Sequence, residues 1–234
     1  LRWLGALLAG ALLAACGTLP PPRERPAEHA AVPDPSSPLA RIAAVSTPPG
    51  EHSGFRLMPL GVYSLDARIQ LARRAKQSLV VQYYQLENDA TGRLLMRTLR
   101  EAALRGVKVR LLVDDLYTVH SQQLLLALAD TPNMQVRLFN PFCCGRGGLV
   151  SKYAASLGDF RRLNRRMHNK LFIADGAVAV AGGRNIGNAY FTQTAGANFI
   201  DLDTFVAGAL LPRLGQLFDQ YWNSPHVLPI RAVA

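Results

Sequence analysis

Hydrophobic and polar positions along the 234-residue chain fall into three regimes. The first is an apolar run over residues 3–15, behind Arg2. It is shorter than the ~20 residues a bilayer span needs, but it suits the core of a signal peptide. The second, residues 20–49, holds nine of the fifteen prolines, separated by Ala, Ser and Glu. Such a stretch buries too little apolar area to fold, so it is expected to be an extended linker with His29 and His52 solvated in or beside it. The third regime alternates short apolar runs with helical periodicity. Residues 64–76 read as a helix capped by Ser64, with Asp66 in its first turn and Leu65, Ile69 and Ala72 on one face. Residues 79–84 read as a buried strand. Residues 92–105 read as a helix with Leu95, Leu99 and Ala102 or Ala103 inward and Gly106 at its end. A strand at 107–113, a helix at 121–129 and a strand at 135–139 follow. This alternation predicts an α/β domain with a largely parallel sheet.

Beyond residue 140 the pattern changes. Residues 141–159 form a long loop with Cys143, Cys144 and a Gly-rich turn at 145–148. The turn lacks the Gly-Lys-Ser/Thr ending of a phosphate loop, and no strong helix start follows it. Two apolar runs, 170–174 and 177–181, are joined by Asp175-Gly176. Both joining residues tolerate positive φ, so the pair predicts a hairpin. A strand at 201–206, with Asp201 and Asp203 on one face, and a closing helix at 210–222 complete the domain.

Composition adds three bounds. The chain is long enough for one sizeable domain and short for two. A net charge of +10 favours anionic partners: membrane phospholipid, nucleic acid or phosphorylated substrates. Three cysteines make no disulfide framework, but Cys16 stands at the end of the apolar run, directly after Ala14 and Ala15.

The candidate chemistry lies on the predicted hairpin. Side chains at i and i+2 of a strand share a face, so His168 and Lys170 are expected to project together, with Asn185 returning beyond the hairpin partner. A neutral imidazole can attack phosphorus, while an ammonium and an amide hold the non-bridging oxygens. Asp114, Asp115 and Asn140 close two strands, where ligands gather in open α/β sheets and where turns also need such residues. Arg161, Arg162, Arg165 and Arg166 cluster before His168 as a basic lip for headgroups or a phosphate backbone. Aromatic interleaving there is thin, so no stacking platform for single strands is expected; nucleic acid is not the expected partner. No spacing suggests a metal site.

The pattern His168-x-Lys170-x(4)-Asp175-x(6)-Gly182-Gly183-x-Asn185 resembles the signature of the phospholipase D superfamily. Gln82-Tyr83-Tyr84, Thr91-Gly92-Arg93, Leu112-Val113-Asp114-Asp115, Asn140-Pro141-Phe142 and Gly183-Arg184-Asn185-Ile186-Gly187 resemble its bacterial cardiolipin-synthase-like branch. The resemblance implies an α/β/α sandwich around a mostly parallel mixed sheet, one repeat only. It implies a ping-pong phosphatidyl transfer through a phosphohistidine at His168, without cofactor or metal. Lys170 and Asn185 would clamp phosphate oxygens, Arg165, Arg166 and Gly183 would contact substrate, and Asp175 would be mainly structural. An acidic residue entering a late strand would orient the imidazole; by motif position this is Asp203, with Asp201 as the alternative. The family uses two copies of the motif, whereas this chain has one. A second half, in cis or by homodimerisation, is therefore expected, and the chain looks like the N-terminal half of a longer enzyme. Leu13-Ala14-Ala15-Cys16 also resembles the bacterial lipoprotein cleavage box. That implies loss of residues 1–15, acylation of Cys16, a tether over 16–54 and a domain over 55–234, held at the bacterial envelope on the outer membrane or the periplasmic face. Three readings compete: an anchored phosphatidyltransferase half acting on anionic glycerophospholipid, a homodimeric single-motif nuclease or phosphodiesterase, and an inactive lipoprotein that binds anionic surfaces.

Overall fold

The computed structural model describes residues 19–20, 25–143, 148–154, 162 and 164–233. The expected signal segment, Cys16, Cys144, Arg161 and residues 145–147 lie outside them. One eight-stranded sheet runs through the described residues in the order β1-β7-β6-β5-β2-β3-β4-β8. Its strands are β1 (Ser53–Met58), β2 (Ser78–Tyr83), β3 (Lys108–Asp114), β4 (Met134–Phe139), β5 (Leu171–Ala174), β6 (Val178–Gly182), β7 (Asp203–Gly208) and β8 (Val227–Pro229). The helices are α1 (Pro38–Ser46), α2 (Gly61–Arg74), α3 (Ala90–Leu104), α4 (Gln122–Ala129), α5 (Leu149–Ala154) and α6 (Leu211–Trp222).

The α/β sandwich is as expected, but the balance of its sheet is not. Only β2·β3 and β3·β4 are parallel; β1·β7, β7·β6, β6·β5, β5·β2 and β4·β8 are antiparallel. Helical crossovers α3 and α4 force the first three central strands parallel. The chain then enters beside β2 in the opposite sense and continues by the tight hairpin and its neighbours. Asp175 (φ 51°) and Gly176 (φ 64°) both lie in the left-handed region, as that two-residue turn requires.

Alternate side chains of the central strands serve two layers. Leu79, Val81, Leu111, Val136 and Phe172 face α1 to α4, while Val80, Leu112, Ile173 and Val206 pack on Phe218 and Trp222 of α6. Ser64 does not cap α2. The helix starts three residues earlier, at Gly61, and Ser64 is buried inside it. At Gly61 a Cβ would sit 2.9 Å from the Cα of Phe191, so glycine lets the first turn approach the neighbouring loop.

The proline-rich stretch is not simply a linker. Ser37 caps α1, accepting from the Ala40 N–H at 3.2 Å, and β1 begins at Ser53. Ahead of α1, the extended residues 25–33 lie along the α6 face. There the Ala30 N–H donates to Asp219 (2.8 Å), Glu28 and Asn223 exchange two hydrogen bonds (3.0 and 2.8 Å), and Glu28 pairs with Arg137. The expected solvated linker therefore holds only in part. His29 does expose its ring, yet its carbonyl accepts from Arg110 at 3.0 Å.

Candidate active site

The carboxyl ends of β2, β3 and β4 meet the segment that precedes β5. In the β2·β5 register Gln82 faces Leu171, so residues 168–170 run past Tyr83 and Tyr84 outside the ladder. His168 and Lys170 do not share a regular strand, because β5 starts one residue later. They nevertheless meet. The Lys170 ammonium lies 2.9 Å from Nδ1 and 3.1 Å from Nε2 of His168 and donates to the His168 carbonyl at 2.8 Å. Lys170 is buried while His168 is exposed. The Tyr84 ring closes the third side, 4.8 Å from the imidazole and 5.6 Å from the ammonium. Burial and then the Lys170 charge hold the imidazole below its ordinary pKa, with Asp201 pulling the other way. Burial likewise lowers Lys170, and Asp201 again opposes it. The first shift favours a neutral imidazole, whereas on Lys170 burial works against the cation that the Asp201 charge helps to retain.

Asn185 lies across the end of β2 from this pair. Its Oδ1 accepts from the Gln85 N–H (3.2 Å) and its amide donates to the Tyr190 hydroxyl (3.0 Å). A parallel bridge, Leu86 with Ile186, locks the two segments together. Tyr84 and Gln85 thus touch both sides of the site; the sequence marked Tyr84 as a strand end and part of a family-like motif, without a role, and did not mark Gln85.

The acidic residues distribute differently from expectation. Asp203 does not face the imidazole. Its carboxylate accepts from Ser64, from Arg68 (3.1 Å), from the Arg184 backbone (3.4 Å) and from the Arg184 guanidinium (3.5 Å), all buried. Asp201 is the carboxylate whose charge acts on His168 and Lys170. Because β7 starts at Asp203, the two residues do not alternate on one strand, and they part. Asp175 sits at the opposite end of β5, accepting from the backbone of Lys76, Gln77 and Ser78 at 2.8 to 3.1 Å.

The basic lip is smaller than its four arginines suggested. Arg166 turns inward to Asp114 (3.1 Å) and the Asn140 carbonyl (3.0 Å) and stacks 4.6 Å over Phe142. Arg162 binds Asn140 and the Pro141 carbonyl. Arg165 remains exposed. These contacts give Asp114 and Asn140 their roles. Asp114 accepts from the Met167 N–H at 2.9 Å, and Asn140 donates to the carbonyls of Arg162 and Arg165 at 2.6 and 2.7 Å. Both therefore fix the backbone that delivers His168. Asp115 instead anchors the Phe142 N–H and Lys152. At Gly183 a Cβ would lie 2.0 Å from the Asp201 carboxylate, so a larger residue there would displace that side chain.

Residues 68–222 match the family model described as cardiolipin synthase, PLD-like domain. The chain is 44% identical over 200 residues to cardiolipin synthase C of Escherichia coli (strain K12), an overlap that covers 83% of this chain and 41% of that protein. It therefore spans about two fifths of the length of this curated relative. Two solved structures share the fold. NucT from Helicobacter pylori has a TM-score of 0.55 at 18% identity, covering 74% of this chain and 97% of that one. Phosphatidylserine synthase from Haemophilus influenzae Rd KW20 has a TM-score of 0.58 at 16% identity, covering 75% and 39%.

Proposed function

This chain belongs to the cardiolipin synthase, PLD-like domain family, and on that premise we propose that it supplies one half of a phosphatidyl-transferring active site. The observation that carries the reading is the His168–Lys170 contact against Tyr84, open to solvent on the imidazole side. In this reading an anionic glycerophospholipid draws the Lys170 ammonium off the imidazole and onto its non-bridging oxygens. The freed ring nitrogen attacks phosphorus, the P–N bond forms, and the P–O bond to the departing alcohol breaks. A second alcohol, or water, then attacks from the far side and releases His168. In-line displacement puts the departing oxygen opposite the imidazole, so its proton has to come from another group. A second half supplies that group, either downstream in a longer chain or in a second copy. The synthase that matches is more than twice as long as the matched segment, which leaves room for it. Asn185 joins the phosphate clamp once its bonds to Gln85 and Tyr190 rearrange. Acylated Cys16 would hold this machinery at a bacterial envelope membrane.

A homodimeric nuclease or phosphodiesterase is the second reading. It is supported by NucT, a whole solved chain that this fold covers over 97% of its length. One experiment separates the two. The solution mass of the chain from Gly17 onward is measured, and the same fractions are assayed for phosphatidyl transfer and for DNA cleavage across a salt series. Lipid turnover that appears only when a second half is added supports the first reading. Salt-sensitive DNA cleavage by a dimer supports the second. In either case His168→Ala is expected to lower turnover by ~10³-fold or more without unfolding the chain, because the imidazole is exposed. Turnover that survives this change sinks both.

A further inference from the structure

A cleft of about 820 Å³ runs along the edge strand β1, walled by α1 and α2. Residues 54–60 line it without a gap, so it is about 20 Å long at the usual rise per residue. Ile42 of α1 and Tyr63, Ala67 and Leu71 of α2 give it apolar walls. Asp66, Gln70 and Arg74 form a hydrogen-bonded polar row along the α2 side. Volume and lining are those of a small-molecule site. One mouth of the cleft, at Leu60 and Tyr63, opens at the catalytic end of the sheet. Met58 pairs with Asp203, Asp203 pairs with Gly182, and the Gly182 N–H donates to the Lys170 carbonyl at 3.4 Å. Mouth and site are therefore three strand spacings apart, about 14 Å. The ground between them is apolar. Phe199, Ile200 and Leu202 are exposed in the loop that enters β7 there. The Arg184 guanidinium ties this loop to the mouth by donating to the carbonyls of both Asp201 and Pro59. On the other side Phe199 stacks 4.6 Å from Tyr190, whose hydroxyl accepts from Asn185.

We propose that this cleft seats one acyl chain of the glycerophospholipid on which the site acts. The inference rests on the phosphatidyl-transfer reading above. With the phosphate at Lys170, the glycerol and the first carbons cross the loop at Ile200 and Leu202. The remaining carbons enter between Leu60 and Tyr63. One acyl chain spans half the hydrocarbon core of a bilayer, about 15 Å. Added to the glycerol, that length covers the distance to the mouth and brings the chain end about one turn of α2 inside, toward Ala67. Each methylene seated there strengthens binding about fourfold. A soluble phosphodiester has no chain to offer, so the cleft selects lipid over such substrates at a distance from the chemistry.

The test maps where a chain end goes. The protein is mixed with phosphatidylglycerol vesicles in which one acyl chain ends in a photoactivatable diazirine, irradiated, and digested for mass spectrometry. Label is expected at Tyr63 and Ala67, and unlabelled phosphatidylglycerol is expected to compete it away. Two variants are compared. Ala67→Phe fills the cleft, and Tyr63→Glu puts a charge at its mouth, in the first turn of α2 where the helix dipole tolerates a carboxylate. Each is expected to cut the cleft label by roughly tenfold or more, the loss of about two seated methylenes, while label at Phe199 and Ile200 persists. Label confined to Phe199 and Ile200 in the parent, or cleft label unchanged in both variants, overturns the proposal. Palmitate that competes better than phosphatidylglycerol assigns the cleft to a free fatty acid and also overturns it. So does a second copy in the cleft, seen as a doubled solution mass with no cleft label. Phosphatidyl transfer by the completed site without cleft label sinks the acyl seat alone. Cleft label in a chain that transfers no phosphatidyl group, even with a second half added, upholds the seat and sinks the reading it rests on.

Discussion

Asp203 and Asp114 both grip backbone beside the site, but they are neutralised in different ways. Asp203 lies between two arginines, Arg68 and Arg184, with Ser64 as a further donor, and every partner is buried. Asp114 has one guanidinium, that of Arg166, and otherwise relies on the N–H groups of Leu116 and Met167, each at 2.9 Å. Burial raises the Asp114 pKa, and Arg166 only partly opposes the rise. The cage on the antiparallel side thus belongs to the core, with catalysis next door. The cage on the parallel side holds the backbone that delivers His168 and compensates its carboxylate less fully.

The largest expected effect tests the first half of that contrast. Arg68→Ala leaves a buried carboxylate short of its nearest guanidinium, which costs about 3–5 kcal/mol. Denaturant unfolding measures it, and a midpoint equal to the parent's would erase the difference between the cages. Next comes Asp114→Asn. It keeps the shape, costs about 1–2 kcal/mol, and loosens residues 165–168, so turnover of the completed site falls ~10–100-fold. If stability collapses with turnover, Asp114 is a core element after all.

The smallest effect concerns the carboxylate that stays outside both cages. Asp201 raises the His168 pKa against burial and the Lys170 charge. Asp201→Asn therefore lowers it further, and the acid limb of the pH–rate profile moves to lower pH because the imidazole stays neutral longer. The same shift has a stability counterpart. A folded imidazole that binds its proton less readily than the unfolded one costs stability as pH falls through the ordinary His range, near 6.5. A limb that moved to higher pH in the variant would contradict the assignment.

These contrasts mark how far the sequence could be read. The hairpin was legible because Asp175-Gly176 states its own backbone requirement. The His168–Lys170 meeting was legible from spacing, even though β5 begins only at Leu171. The choice between Asp201 and Asp203 was not. It depends on where β7 begins, and a shift of one or two residues decides which side chain reaches Arg68. The sheet's antiparallel majority was hidden for a related reason: local alternation reports crossovers, not the side on which later strands dock. The role of Tyr84 escaped notice, although its motif was marked, because nothing in a strand-ending tyrosine announces that a histidine 84 positions later will rest on it. The segment 25–33, docked on the body, was the furthest from view. Composition described its prolines correctly, but its partners Asp219, Asn223 and Val227 lie about 190 to 200 positions away.

The two rims of the sheet differ in how they meet another chain. β8 is three residues long and ends in Pro229, which has no N–H to offer, so that rim resists extension. β1 offers six residues with Phe55 and Leu57 exposed on an unpaired edge. Crowding or partial loosening of the isolated chain will therefore recruit neighbours along β1, strand by strand. Lysine in place of Leu57 is the economical way to keep such preparations monodisperse.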